Sequence, residues 1–216
     1  MHQDSTVSQE SLPGIRRKVT EIFSRDEIRM LTERSDLMGF AAVGFTWGVI
    51  ALAFIVMAWA STQPLAVAIP VFLIALALLA GRQLALAILM HDASHGTLFK
   101  TRFLNEVLVD WICARPIWND LKKYRTHHLV HHAKTGQAED TDLSLVAPFP
   151  TTRASLIRKL VRDISGLTGL KFFAGRFLMD AGYLKWTVAN DLTRLPTEGQ
   201  TFASRSRLFL RNVTPT

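Results

Sequence analysis

Between Gly39 and Met90 the chain is almost continuously apolar, and charged side chains crowd the segments on either side. Gly39 to Ala60 carries no charged residue. At 1.5 Å rise its 22 residues reach about 33 Å, enough to cross a hydrocarbon layer of about 30 Å. Ser61-Thr62-Gln63-Pro64 breaks the run, and Leu65 to Met90 forms a second apolar segment with Pro70 near its start as a possible kink. The pattern predicts two transmembrane helices, 39–60 and 65–90, joined by a tight turn at 61–64. Arg82 and Gln83 interrupt the second segment. We read the span as ending near Arg82, with the guanidinium snorkelling to the interface. The alternative places Arg82 at depth beside a partner.

The flanks follow different patterns. Residues 1–38 form a polar leader holding Arg16, Arg17, Lys18, Arg25, Arg29 and Arg34, and Ile15 to Arg34 partly follows a helical period. The leader is too polar for a cleavable signal, so the first apolar helix is expected to act as its own insertion signal. Residues 91–216 contain no further clean span. There Leu156 to Ile164 and Leu170 to Ala189 interleave apolar and basic residues at helical spacing, as helices lying on a membrane surface do, although packing faces of a cytosolic cap show the same pattern. Ala147-Pro148-Phe149-Pro150 reads as a loop before a helix starting at Thr151 or Thr152. The expected class is therefore all-α: an integral membrane hairpin with a cytosolic or interfacial helical cap over 91–216.

Charge sets the orientation. Basic residues occur in the leader and again at Lys100, Arg102, Arg115, Lys122, Lys123 and Arg125, but none lies in the 61–64 connection. Both termini and the cap are thus expected on the cytoplasmic side. The net charge of +7 flanks hydrophobic segments and forms no separate basic module, which argues for a membrane surface and against nucleic acid. Cys113 is the sole cysteine, so an internal disulfide and paired-cysteine metal sites are excluded.

Six of the seven histidines fall in two clusters, His91-Asp92-Ala93-Ser94-His95 and His127-His128-Leu129-Val130-His131-His132. Residues four apart on a helix are separated by about 40°, so His91 and His95 share a face. His128, His131 and His132 share another, and His127 points roughly 100° from His128. Five imidazoles can converge if the two helices meet, and imidazole suits iron, zinc, copper or nickel. Five exceed the three or four ligands of a single zinc site.

With these clusters the sequence resembles the membrane fatty acid desaturase superfamily. His91 to His95 matches its HxxxH box and His128-Leu129-Val130-His131-His132 its HxxHH box, in order, with the first box at the exit of an apolar hairpin. The Lys123-Tyr124-Arg125-Thr126 lead-in and the acidic Glu139-Asp140-Thr141-Asp142 add to the likeness. The resemblance implies a non-haem centre of two irons held by His91, His95, His128, His131 and His132. It also implies O2-dependent desaturation of an acyl-lipid or fatty acyl substrate, with electrons from ferredoxin or cytochrome b5. Asp92, Arg125, Asp140 and Asp142 are candidates to orient the ligand imidazoles, and His127 stands beside the set. No histidine follows His132, whereas the family carries a third box beyond a second pair of spans. The expectation is a partial chain with little or no activity by itself. A lipid hydroxylase or carotenoid oxygenase shares the same centre. A membrane zinc protease would need Asp92 to replace the Glu of HExxH, a base displaced by roughly 1.5 Å, and would leave the second cluster unused.

Overall fold

The computed structural model describes residues 19–146, 148–186, 192–196 and 198–214, which fall into two units divided between Arg34 and Ser35. In the first unit the expected helix over 15–34 is two short ones, α1 (Val19–Ile22) and α2 (Arg25–Leu31). Residues 15–18 lie outside the described set. The break is local chemistry: the Ser24 hydroxyl takes the Glu27 N–H at 3.3 Å, and the Glu27 carboxylate takes the Ser24 N–H at 2.8 Å. This reciprocal capping box starts a new helix at Arg25.

The second unit is mostly helical. Its frame is the antiparallel pair α3 (Asp36–Ala60) and α4 (Leu65–Ser94), both long and apolar enough to cross a membrane. Small residues keep the pair close, with Ala53, Ala60, Ala68 and Ala75 buried. Leucine, isoleucine and phenylalanine face outward, the reverse of a soluble bundle. Pro70 is accommodated inside a continuous α4. The Arg82 guanidinium lies 5.9 Å from the centre of the Phe45 ring, and its buried Nε has no partner among the described residues.

After α4 the chain turns at Gly96 (φ +68°) and passes Phe99, which is fully buried. Gly39 of α3 makes room for it: a Cβ there would stand 2.5 Å from the Phe99 ring and 2.7 Å from the Leu98 carbonyl. The buried Asn105 side chain holds Phe99 from both sides, accepting from its N–H (3.0 Å) and donating to its carbonyl (2.7 Å). Two π-helical turns, Leu104–Leu108 and Asp110–Ala114, follow and pack on α4, and Trp47 of α3 donates to the Ile112 carbonyl at 2.9 Å.

A short 3-10 turn then leads into α5 (Leu121–Lys134) and α6 (Leu143–Val146). α7 (Arg153–Ile164) starts at its Thr152 cap, where the sequence placed a helix start. α8 (Leu167–Asp180) ends well before the expected 189. Gly182, at φ +73° and against Leu208, turns the chain into an antiparallel pair, β1 (Leu184–Trp186) with β2 (Leu192–Arg194). Residues 187–191 are outside the described set. The class is therefore helical with one small two-stranded sheet, and α9 (Phe202–Val213) completes it.

Candidate metal centre

Each half of the centre sits at a helix end with defined anchors. His91 lies in the last turn of α4 and His95 is its C-cap residue. Ser94 Oγ donates to the His91 carbonyl (2.6 Å) and Thr97 Oγ1 to the Asp92 carbonyl (2.8 Å), which satisfies groups a helix C-terminus leaves open.

The second cluster rides on α5, whose start is pinned by an ionic hub. Arg115 donates from Nε to Asp110 and from Nη2 to Asp120, both at 2.9 Å, and from Nη1 to the Val213 carbonyl at 3.1 Å. Asp120 caps α5 by accepting the Lys123 N–H at 2.8 Å, and Asp110 accepts the Leu121 N–H at 2.8 Å. Burial works against the Asp120 charge, but the Lys123 N–H and Arg115 outweigh it, so its pKa sits below the usual value.

Four of the five expected ligand histidines come together. One ring nitrogen from each of His91, His95, His128 and His132 lies within 4.8 Å of the others. His128 Nε2 is 2.9 Å from His95 Nε2 and 3.0 Å from His132 Nε2. Its ring centre is 4.6 Å from that of His91, and Tyr124, one turn earlier on α5, stacks on it at 5.1 Å. His128 is the buried member. Burial first, then the neighbouring imidazoles, lowers its pKa to about 4. The same causes lower His95. Both rings are therefore in the neutral, ligating form at neutral pH.

The donor set fits a metal ion better than it fits itself. An imidazole nitrogen offers one hydrogen or one lone pair, so His128 Nε2 cannot form ordinary linear bonds with both neighbours. Ligands at right angles on an ion with bonds of about 2.1 Å are separated by about 3.0 Å, the spacing seen here. Opposed ligands reach about 4.2 Å, so the widest pair needs a small closure on one ion, or two ions.

The fifth histidine is placed differently. His131 lies beside the group, its ring centre 5.7 Å from that of His132, with Nδ1 donating to Asp140 at 2.7 Å. The bond to Asp140 raises the His131 pKa. Asp140 is held to about 2 by His131 and by the N–H groups of Asp142 and Gly136. Asp142 is 3.8 Å from His131 Nδ1 and 3.3 Å from His127 Nε2, so His127 is turned out of the cluster as its helical angle predicts. Asp92 receives His91 Nδ1–H at 3.0 Å. That contact is the kind by which a carboxylate orients an imidazole. Among the described residues, the hydrogen bonds of Arg125 go to backbone carbonyls and not to an imidazole. Arg125 donates to the Ser94 and Ala93 carbonyls at 2.8 and 3.2 Å.

The sequence assigned no part in the site to Tyr124, Asp110, Arg115 or Asp120. Tyr124 had a readable signal, lying four residues before His128 on a helix face. The acids and Arg115 had none, because their meeting depends on the π-helical turns.

A family model described as fatty acid desaturase matches residues 64–207, which include both clusters and the anchors of α5. No curated protein and no solved structure matches the chain.

Proposed function

The chain belongs to the fatty acid desaturase family, and from this premise we propose that it is a membrane oxidoreductase that uses O2 to desaturate an acyl chain. The convergence of four imidazoles from the end of an apolar helix and from α5 carries the reading. His91, His95, His128 and His132 would hold iron, with His131 beside them. Iron held there would supply the oxygen-activating chemistry that breaking an unactivated C–H bond demands.

The protein's own groups do the rest. Asp92 and Asp140 each accept a Nδ1–H, directing the Nε2 lone pairs of His91 and His131 outward. Burial keeps His128 neutral, and Tyr124 covers one face of its ring. α3 and α4 span the bilayer with the histidines on the cytoplasmic side, where the basic residues concentrate, so an acyl chain can approach from the lipid. Ferredoxin or cytochrome b5 is the electron donor of this reading.

Metal content of the detergent-purified chain tests the proposal. Bound iron supports it. Zinc near one per chain with little iron, or no bound metal, would overturn it.

A further inference from the structure

We propose that Arg125 is a positioning residue that locks the two histidine clusters into register by gripping the end of α4 from α5. The inference rests on the metal-centre reading above. Arg125 presents one edge of its guanidinium, Nε and Nη2, to two successive carbonyls, Ser94 at 2.8 Å and Ala93 at 3.2 Å. Those carbonyls lie between His91 and His95 in the chain. On α5, Arg125 precedes His128 by three residues, on the same side of the helix. The grip is therefore within a turn of ligands on both helices.

Chemistry favours arginine at this point. The last carbonyls of α4 carry the negative end of the helix, and a cation donating to them is held by charge and by hydrogen bonds together. A planar fork sets two N–H donors in fixed geometry on two carbonyls, whereas a lysine ammonium is a compact point charge with freely rotating donors. The third nitrogen, Nη1, lies 3.5 Å from Glu106, which Arg102 holds at 2.9 Å. Arg125 is thus braced from the π-helical turns while it grips α4, and its side chain is only 27% exposed. Rotation or sliding of α5 against α4 would break both carbonyl bonds. It would also spoil the 2.9 Å and 3.0 Å approaches among His95, His128 and His132.

The test is Co2+ titration of the full chain in detergent, reading affinity and the visible absorption band, with far-UV circular dichroism and thermal unfolding of the metal-free forms in parallel. Arg125→Ala is expected to lose about ten-fold or more in affinity and to shift the band, at near-native helicity. Arg125→Lys is expected to keep the unfolding midpoint but recover affinity only in part. Arg158→Gln, at an exposed position of α7 away from the carbonyl grip, is expected to titrate like the unsubstituted chain. Unchanged affinity and band in Arg125→Ala would overturn the inference and leave the metal reading standing. If Arg125→Ala does not fold, Arg125→Lys decides, and an unsubstituted titration from it is the overturning result. Absence of Co2+ binding by the unsubstituted chain would overturn both the inference and the reading beneath it.

Discussion

Replacing Arg115 by methionine removes one cation from a hub of three bonds. The side chains of Arg115, Asp110 and Asp120 are only 16, 12 and 9% exposed, so the two carboxylates would lose their cation where water replaces it poorly. Breaking a buried pair from one side costs about 3–5 kcal/mol. Asp110 keeps the Leu121 N–H and Asp120 the Lys123 N–H, which favours the lower half of that range, and the lost bond to the Val213 carbonyl adds about 1 kcal/mol. The thermal midpoint in detergent should fall by on the order of 10 °C. The hub also pins the start of α5, so Co2+ affinity should weaken along with stability. Combining Arg115→Met with Asp110→Asn and Asp120→Asn removes the stranded charges and keeps both N–H acceptors, and asparagine caps as well as aspartate. This triple variant should recover more than half of the loss. A single variant within about 1 kcal/mol of the parent, or a triple variant no more stable than the single, would refute the reasoning.

Gly39→Ala should destabilise by about 1–3 kcal/mol in thermal unfolding because the new Cβ meets the Phe99 ring and the Leu98 carbonyl, whereas Gly44→Ala, with nothing within 4 Å, should be neutral or slightly stabilising. Asp120 has a depressed folded pKa, so its contribution to stability is complete above the unfolded value of about 3.9 and is lost as pH falls through the lower folded value. Asp120→Asn should flatten that part of the acid unfolding curve, and an unchanged curve would contradict the assignment. α7 turns Leu156, Ile157, Leu160, Val161 and Ile164 outward, the last 86% exposed, so it should lie in the lipid interface. Nitroxides placed at Leu160 or Ile164 in lipid nanodiscs should be accessible to O2, and one at Lys159 to a water-soluble relaxant; equal exposure of all three to water would refute the placement. Cys113 is fully buried, and burial pushes its thiol up to about 12, so it should remain unlabelled.

The apolar pattern by itself determined α3 and α4, because an apolar run of this length with at most one charge inside it favours a single long helix. The spacing of the histidines determined which of them share a helix face, since a 3.6-residue period is a local property. It also turned His127 away. Local capping was only partly legible: Thr151 or Thr152 marked the start of α7, and Thr152 is the cap, but the Ser24 box that splits the leader helix was overlooked. So was the turn at Gly182 that ends α8 and begins the small sheet. Tertiary structure decided which imidazoles meet. His131 has the helical offset of a ligand, yet Asp140, nine residues later, holds its Nδ1 and sets it beside the other four. His95 and His128 are 33 residues apart. Their meeting depends on Gly39 admitting Phe99, on the π-helical turns that bring Asp110 and Arg115 to Asp120, and on Arg125 reaching the end of α4. These contacts join distant segments through side-chain shape and buried charge, and a periodic pattern records neither.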